Sequence, residues 1–302
     1  MTRQNFNKQQ HQIIIINDGS TDKTEKIASE YVKKYDYFSL VTQENKGVSA
    51  SRNTGLTLAK GKYVTFVDAD DYVSDNIYNP IIELMETNAL EGFYFGYTDE
   101  EKSLEEFKPE YYVPQKDKSC KMGVWRCIFI KQNIVNNKIS FTEEVKYCED
   151  LLFNYKYIAT LKTNMAATAQ CLYYYRLNKD SATGTFNRSN ERLMKDYTNS
   201  LKSACIQLKN YTKANNLQED SLYQRVLSIL ITSLLWGTMR LKLNAKSIVN
   251  ALESEGVYLK EIKVKTYAGN SLKYKFKGWL EYNFRHKFIF YLSCFLYKII
   301  GK

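Results

Sequence analysis

The sequence predicts an α/β protein, with strands and helices alternating in a Rossmann-like manner over residues 1–185 and helices alone over residues 186–302. Three observations carry that reading. Short runs of β-branched and aromatic residues recur with turn residues at their ends; segments of helical period lie between them; and beyond residue 186 the short runs stop while the helical period continues. Such alternation implies a largely parallel sheet with helices on both faces.

In chain order, IIIIN (13–17) reads as a first strand, buried on both faces and stopped by Asp18-Gly19-Ser20. Ile27, Tyr31, Val32 and Tyr35 then recur at helical spacing, with Ser20 or Thr21 as the N-cap. FSLVT (38–42) is a second strand, GVSASRNTGLTLAKG (47–61) a second helix closed by Gly61, and YVTFV (63–67) a third strand. A helix and a strand fit between Asn76 and Gly96, and TDEEKSLEEF (98–107) reads as a solvated loop. Val145, Leu152, Phe153 and Tyr157 mark a helix within EEVKYCEDLLFNYKYIA, and LYYYR (172–176) marks a late strand. The apolar segment LYQRVLSILITSLLWGTMRLKLN (222–244), interrupted by Ser, Thr and Gly, predicts a packed helix.

At 302 residues the chain can bury a substantial core, and three prolines with thirteen glycines exclude collagen-like and linker-rich classes. A net charge of +10, from 43 Lys and Arg against 33 Asp and Glu, suits an anionic partner: nucleic acid, nucleotide phosphates or an acidic lipid surface. The six cysteines form no C-x-x-C pair, which argues for reduced core thiols over a disulfide framework or zinc ribbon. His11 and His286 stand at opposite ends of the chain, so acid–base chemistry falls to carboxylates.

The segment YVTFVDADDYVS (63–74) concentrates three carboxylates behind an apolar run. If the strand continues through them, Asp68 and Asp70 share a face while Asp71 points away or opens the next turn. Two carboxylates this close repel unless a divalent cation joins them, and oxygen ligands suit Mn²⁺ or Mg²⁺, which complete their shells with water and substrate phosphates. Strand ends in open α/β sheets are also where ligands bind. The plainer alternative is a solvated turn with a capping Asp. Asp18, at the end of the first strand, suits a hydrogen bond from a base or ribose, or is only a turn residue. Arg52 and Asn53 follow the Gly47 turn and offer a guanidinium and an amide to phosphate oxygens, or lie on an exposed helix face.

INDGSTDKT (16–24), NKGVSASRNTGLTLAKGKYVTFVDADD (45–71), FTEEVKYCEDLLFNYKYI (141–158) and LYYYRLNKDSAT (172–183) together resemble, in order and spacing, the family 2 glycosyltransferases, most closely the bacterial enzymes of capsule, exopolysaccharide and wall-polymer synthesis. The resemblance spans residues 12–185. It implies a glycosyltransferase A (GT-A) fold, a nucleotide-sugar donor such as a UDP-sugar, a divalent metal and inversion at the anomeric carbon. By position it implies Asp18 at the nucleobase, Asp68 near the ribose and metal, Asp70 as metal ligand, Arg52 near the diphosphate and Asp150 as catalytic base. Arg176 falls in a segment of variable role, a candidate for phosphate or acceptor contact. The general chemistry agrees, because an acceptor hydroxyl needs a carboxylate to take its proton and a helix N-terminus favours that carboxylate's ionised form. Glu149 and Asp150 also fit a plain role as complements to the helix dipole.

Family members begin with a further apolar strand followed by Pro-x-Tyr or Pro-x-Phe, central between IIIIN and YVTFV, whose loop helps hold the nucleotide. TRQNFNKQQHQ (2–12) instead resembles the end of the first helix and the linker behind it. The expectation is therefore an N-terminally truncated catalytic domain over 1–185, with two exposed strand edges, and a helical region over 186–302. Phe284, Phe288, Tyr291, Leu292, Phe295 and Ile299 share one helical face beside a basic segment, so residues 263–302 suit either peripheral contact with an anionic bilayer or packing on the protein. A polyprenyl-linked or glycan acceptor at the cytoplasmic face of the membrane fits the first option. Two other classes compete: a catalytically dead remnant that binds a partner or membrane, and a nucleic-acid binder suggested by charge and 25 tyrosines but by no motif.

Overall fold

The computed structural model describes residues 1–2, 4–6, 9–101, 104–114, 123–177, 191–217, 219–261, 286–287 and 290–291. The chain forms two compact units, residues 1–143 with 156–184, and residues 144–155 with 185–302.

In the first unit, β1 (Ile13–Asp18) pairs in parallel with β2 (Phe38–Gln43) across helix α1 (Thr24–Lys34), and α2 (Val48–Leu58) lies against β1. Helix α1 starts later than Ser20 or Thr21 would set it: its N-cap is Lys23, and just ahead of it the Asp22 carboxylate accepts the Thr24 N–H at 2.9 Å in a local turn. A second sheet has the order β3 (Tyr63–Thr65), β6 (Cys127–Ile130), β5 (Gly92–Thr98), β7 (Met165–Tyr174), β4 (Tyr72–Val73). Helices α3 (Tyr78–Thr87) and α4 (Lys131–Asn136) complete the unit. Ile77, Ile81, Met85, Phe93, Phe95, Ile128 and Leu172 form its core.

This arrangement corrects two expectations. The sheet is not largely parallel: β3–β6, β6–β5 and β7–β4 are antiparallel, and only β1–β2 and β5–β7 are parallel. Nor is it one sheet: β1–β2 form a separate sheet, and β3 is an edge strand of the five-stranded one. Ile13 to Ile16 are accordingly half-buried, not enclosed, because β1 has a strand partner on one edge only among the described residues.

The second unit is helical. The first turns of α5 (Glu149–Ala159) belong to it, and α6 (Glu191–Ala214), α7 (Ser221–Arg240) and α8 (Ala245–Glu253) follow. Asp220 caps α7 through the Tyr223 N–H at 3.0 Å, and Asn244 caps α8 through the Ser247 N–H at 3.1 Å. Leu201, Leu208, Leu227, Leu230, Ile231 and Leu234 are fully buried, as a packed helix pair requires. Residues 144–155 join this unit through specific bonds: Tyr147 N–H donates to Ser200 Oγ at 2.9 Å, and Tyr155 Oη lies 2.7 Å from Thr212 Oγ1. No described helix is long and apolar enough to cross a membrane. Of the basic, aromatic tail only residues 286–287 and 290–291 are described; Lys287 pairs with Glu253 at 2.6 Å and Phe290 is buried. The remainder of its apolar face lies outside the described residues, as do Cys120 and Cys294. Cys127, Cys148, Cys171 and Cys205 are free thiols.

Candidate active site

The three clustered carboxylates do not sit on a strand. Strand β3 ends at Thr65, where its pairing with Ile128 of β6 stops, and the chain then forms a tight turn closed by the Asp71 N–H donating to the Asp68 carbonyl at 3.1 Å. A turn gathers Asp68, Asp70 and Asp71 more closely than pleated alternation would. Asp71 faces β7: its Oδ2 accepts the Tyr173 hydroxyl at 2.8 Å and its Oδ1 accepts the Arg176 backbone N–H at 2.8 Å. The same Tyr173 oxygen accepts the Asp68 N–H at 3.2 Å. Burial, with the neighbouring charges of Asp70 and Asp68, holds the Asp71 carboxyl above its ordinary value against the pull of those two hydrogen bonds. Burial and the charges of Asp68 and Asp71 push the Tyr173 phenol far upward, so it remains a hydroxyl donor.

Helix α2 supplies the cation. Arg52 Nη2 meets Asp68 Oδ1 at 3.0 Å, with only 12% of the arginine side chain exposed against 32% of the aspartate, and its guanidinium lies over the Phe141 ring at 5.4 Å. Arg52 is thus drawn into the acidic turn, in place of the open helix face. Asn53 behaves differently from expectation. Its amide nitrogen donates to the Phe141 carbonyl at 3.0 Å and Glu143 Oε1 at 3.2 Å, and its oxygen accepts the Phe141 N–H at 2.8 Å. Both N–H bonds of the amide are thus engaged in holding residues 141–143.

Asp18 ends β1 and anchors the loop into α2. Its Oδ1 accepts Gln43 Nε2 at 2.8 Å and the Lys46 N–H at 3.0 Å, and its Oδ2 accepts the Gly47 N–H at 2.8 Å. Burial acts to raise its pKa, but the bonds from Lys46, Gln43, Gly47 and Ser51 outweigh that effect and hold the carboxyl below its ordinary value. The following Gly19 adopts φ +72°, and an added Cβ there would stand 2.9 Å from the Asn45 nitrogen, so this turn needs glycine.

Arg176 follows the end of β7, with its backbone fixed by Asp71 and its side chain exposed. Asp150 belongs to the second unit, in the first turn of α5, where Leu151 N–H donates to its Oδ1 at 2.7 Å. Cys148, two residues before it, holds φ +65°, an uncommon backbone conformation for a side-chain-bearing residue just ahead of this helix. Burial raises the Cys148 thiol well above its ordinary value, with the charges of Asp150 and Glu149 adding to the effect.

The sequence reading missed Tyr173 and the inward role of Asp71. They are 102 positions apart, and no local pattern joins them; the one available signal was that Asp71 is a third carboxylate without a stated partner.

Hydrogen bonds thus join Arg52, Asp68, Tyr173, Asp71 and the Arg176 backbone in the first unit, with Asp70 in the same turn. The model for "Glycosyl transferase family 2" matches residues 2–140, a span that includes the whole acidic turn. Residues 2–140 are thus similar to the family 2 glycosyl transferases. Among curated relatives, the domain and its surroundings are 30% identical over 187 residues to "Uncharacterized glycosyltransferase EpsJ" of Bacillus subtilis strain 168, covering 57% of this chain and 54% of the relative. The chain thus spans about half the length of that relative. Solved structures of similar fold include S. aureus TarS 1–349 in complex with UDP-GlcNAc, with a TM-score of 0.62 and 18% identity over 86% of this chain and 75% of that one. Mannosyltransferase PcManGT from Pyrobaculum calidifontis, in complex with GDP-Man and Mn²⁺, gives a TM-score of 0.52 and 12% identity over 100% of this chain and 81% of that one. The chain shares the fold of these solved structures, the GT-A fold, followed in sequence by a helical region.

Proposed function

We propose that this chain is an inverting glycosyltransferase that moves a sugar from a UDP-sugar to a glycan or polyprenyl-linked acceptor in bacterial surface-polysaccharide synthesis. The observation that carries the reading is the acidic turn, where three carboxylates share one tight loop and Asp68 meets a largely buried arginine. Among the described residues no group of three or more His, Cys, Asp or Glu side chains surrounds a single cation position. A donor set limited to Asp68 and Asp70 fits Mn²⁺ or Mg²⁺, which take hard oxygen ligands and draw the rest from water and substrate phosphates. A cation held by those two residues supplies positive charge to the diphosphate as it leaves.

The protein's own groups do the remaining work. Asp18 is held at the end of β1 by Gln43 of β2 and by the Lys46 and Gly47 N–H groups of the loop into α2, and as a fixed carboxylate it accepts a hydrogen bond from the nucleobase. Arg52 orients Asp68 and brings its guanidinium charge to the departing diphosphate, and Arg176 adds a second guanidinium. Asp150 takes the proton of the acceptor hydroxyl. The bond from that oxygen to the anomeric carbon forms as the bond from the anomeric carbon to the phosphate oxygen breaks, and UDP departs with the electron pair. The basic tail suits a lipid-linked acceptor at the membrane surface.

Calorimetry with UDP and Mn²⁺ tests the reading: the wild type is expected to bind, and Asp70→Ala to lose that binding. Absence of any UDP binding by the wild type in Mn²⁺ would reject it. The divided sheet favours one second reading, a chain that binds nucleotide or a partner without turnover. Binding of UDP with no UDP release across a panel of sugar nucleotides would select that reading instead.

A further inference from the structure

The acidic turn is tied to β7 by more than strand pairing. Strand β4 contributes only Tyr72 and Val73, opposite Tyr174 and Tyr173, which is a short attachment for a loop that has to hold two repelling carboxylates in place. The additional ties converge on Asp71 and Tyr173. The Asp68 N–H donates to Tyr173 Oη, Tyr173 Oη donates to Asp71 Oδ2, and the Asp71 N–H donates back to the Asp68 carbonyl. Those three bonds form a closed ring around residues 68–71, with Asp70 inside the loop. The second oxygen of Asp71 reaches outward to the Arg176 N–H.

We propose that Asp71 and Tyr173 form a latch that sets the spacing between the cation-binding carboxylates, Asp68 and Asp70, and the Arg176 segment. The proposal rests on the functional reading above and adds two positioning residues to it. One carboxylate fixes both partners: through Tyr173 it holds the start of the turn, and directly it holds the backbone of the arginine. A cation drawn to Asp68 and Asp70 and a diphosphate drawn to Arg176 then meet at a separation the protein has already set, which lowers the ordering cost of binding them together.

The Tyr173 ring is held independently of its hydroxyl. It is fully buried and lies 4.5 Å, centroid to centroid, from the Trp125 ring. Tyr173→Phe therefore keeps the packing and removes two bonds of the ring, whereas Asp71→Asn keeps the size of the side chain and exchanges one acceptor oxygen for an amide donor. Groups that orient metal ligands typically contribute about 10–100-fold to metal affinity, so each variant is expected to weaken Mn²⁺ binding in the presence of UDP by about tenfold.

The test is the electron paramagnetic resonance signal of free Mn²⁺, titrated with the full chain in saturating UDP, for wild type, Tyr173→Phe and Asp71→Asn. Near-UV circular dichroism establishes the folded fraction of each. A merely structural role would lower the folded fraction and leave the Mn²⁺ dissociation constant of the folded protein unchanged; that result overturns the latch. Should Tyr173→Phe fail to fold, the half-buried Asp71→Asn carries the comparison. A wild type that binds neither UDP nor Mn²⁺ would remove the functional reading and the latch with it. A wild type that binds both, with two folded variants of equal affinity, would remove the latch alone.

Discussion

Replacing Asn53 by alanine separates a residue that holds protein from one that holds substrate. Three hydrogen bonds disappear: two with the Phe141 backbone and one with Glu143. Phe141 itself is 2% exposed, so its N–H and carbonyl lose their partner in a place that water reaches poorly. A net bond contributes about 1 kcal/mol, and stranding a buried backbone group costs about 1–3 kcal/mol. The Glu143 bond is solvent-exposed and adds little, so the total is about 2 kcal/mol, which for a unit of this size lowers Tm by about 4–8 °C. The Phe141 ring also carries the Arg52 guanidinium on one side and meets the Phe66 ring edge-on at 5.3 Å, so a loosened 141–143 segment disturbs Arg52 as well. Donor KM is expected to rise only modestly, by about threefold, because the guanidinium keeps its bond to Asp68. Thermal unfolding by circular dichroism and a KM measurement by UDP release make the check. An Asn53→Ala variant that melts within about 1 °C of wild type while donor KM rises tenfold or more would refute the reasoning and favour a phosphate role.

Two further outcomes follow from single contacts. Asp18 is held below its ordinary carboxylate value by its hydrogen bonds, so its stabilising contribution is complete above the ordinary carboxylate range and is lost as pH falls through the lowered folded value; Asp18→Asn should flatten the acid limb of urea midpoints below about pH 5, and parallel limbs would exclude the effect. A Cβ at Gly96 would stand 2.4 Å from the Ala169 carbonyl and 2.6 Å from that of Gln170, both backbone atoms of β7, so Gly96→Ala should destabilise by about 1–3 kcal/mol, while Gly55→Ala, whose nearest neighbour is 3.9 Å away within α2, should stabilise by about 0.5–1 kcal/mol in the same urea titration.

The elements that the sequence made legible are those decided locally. The FSLVT strand, the two helices that flank it and the apolar α7 are each specified by period within about a dozen residues, while helix ends were less legible, as the late start of α1 and the end of α2 at Leu58 ahead of Gly61 show. Strand β7 shows the opposite case. LYYYR marks its end, but its first half, MAATAQ, is rich in small residues of low β propensity, and it is a strand because Met165, Ala166 and Ala167 pair with Gly92, Phe93 and Tyr94. The same dependence on partners shortens YVTFV: only Tyr63, Val64 and Thr65 find β6 beside them. Strand direction was illegible for a related reason, since alternation of strand and helix argues for parallel pairing and cannot report that β6 runs antiparallel on both of its sides.

The site divides along the same line. Asp68, Asp70 and Arg52 were legible as a set of charges because charge is a property of the residue; what each one touches is a property of the fold. Asn53 and Asp71 illustrate the difference, for both are polar residues next to candidate ligands, and both direct their side chains to backbone groups far along the chain, Phe141 in one case and Arg176 in the other. Buried backbone N–H and carbonyl groups in irregular segments must find partners, and the segments that carry Phe141 and Arg176 lie outside any helix or strand. A polar residue beside an active-site motif therefore has two claims on it, one from the substrate and one from the loops that shape the site. Where a loop's backbone has no strand to pair with, the loop's claim prevails, and this accounts for Asn53 and Asp71 acting as scaffold around the acidic turn.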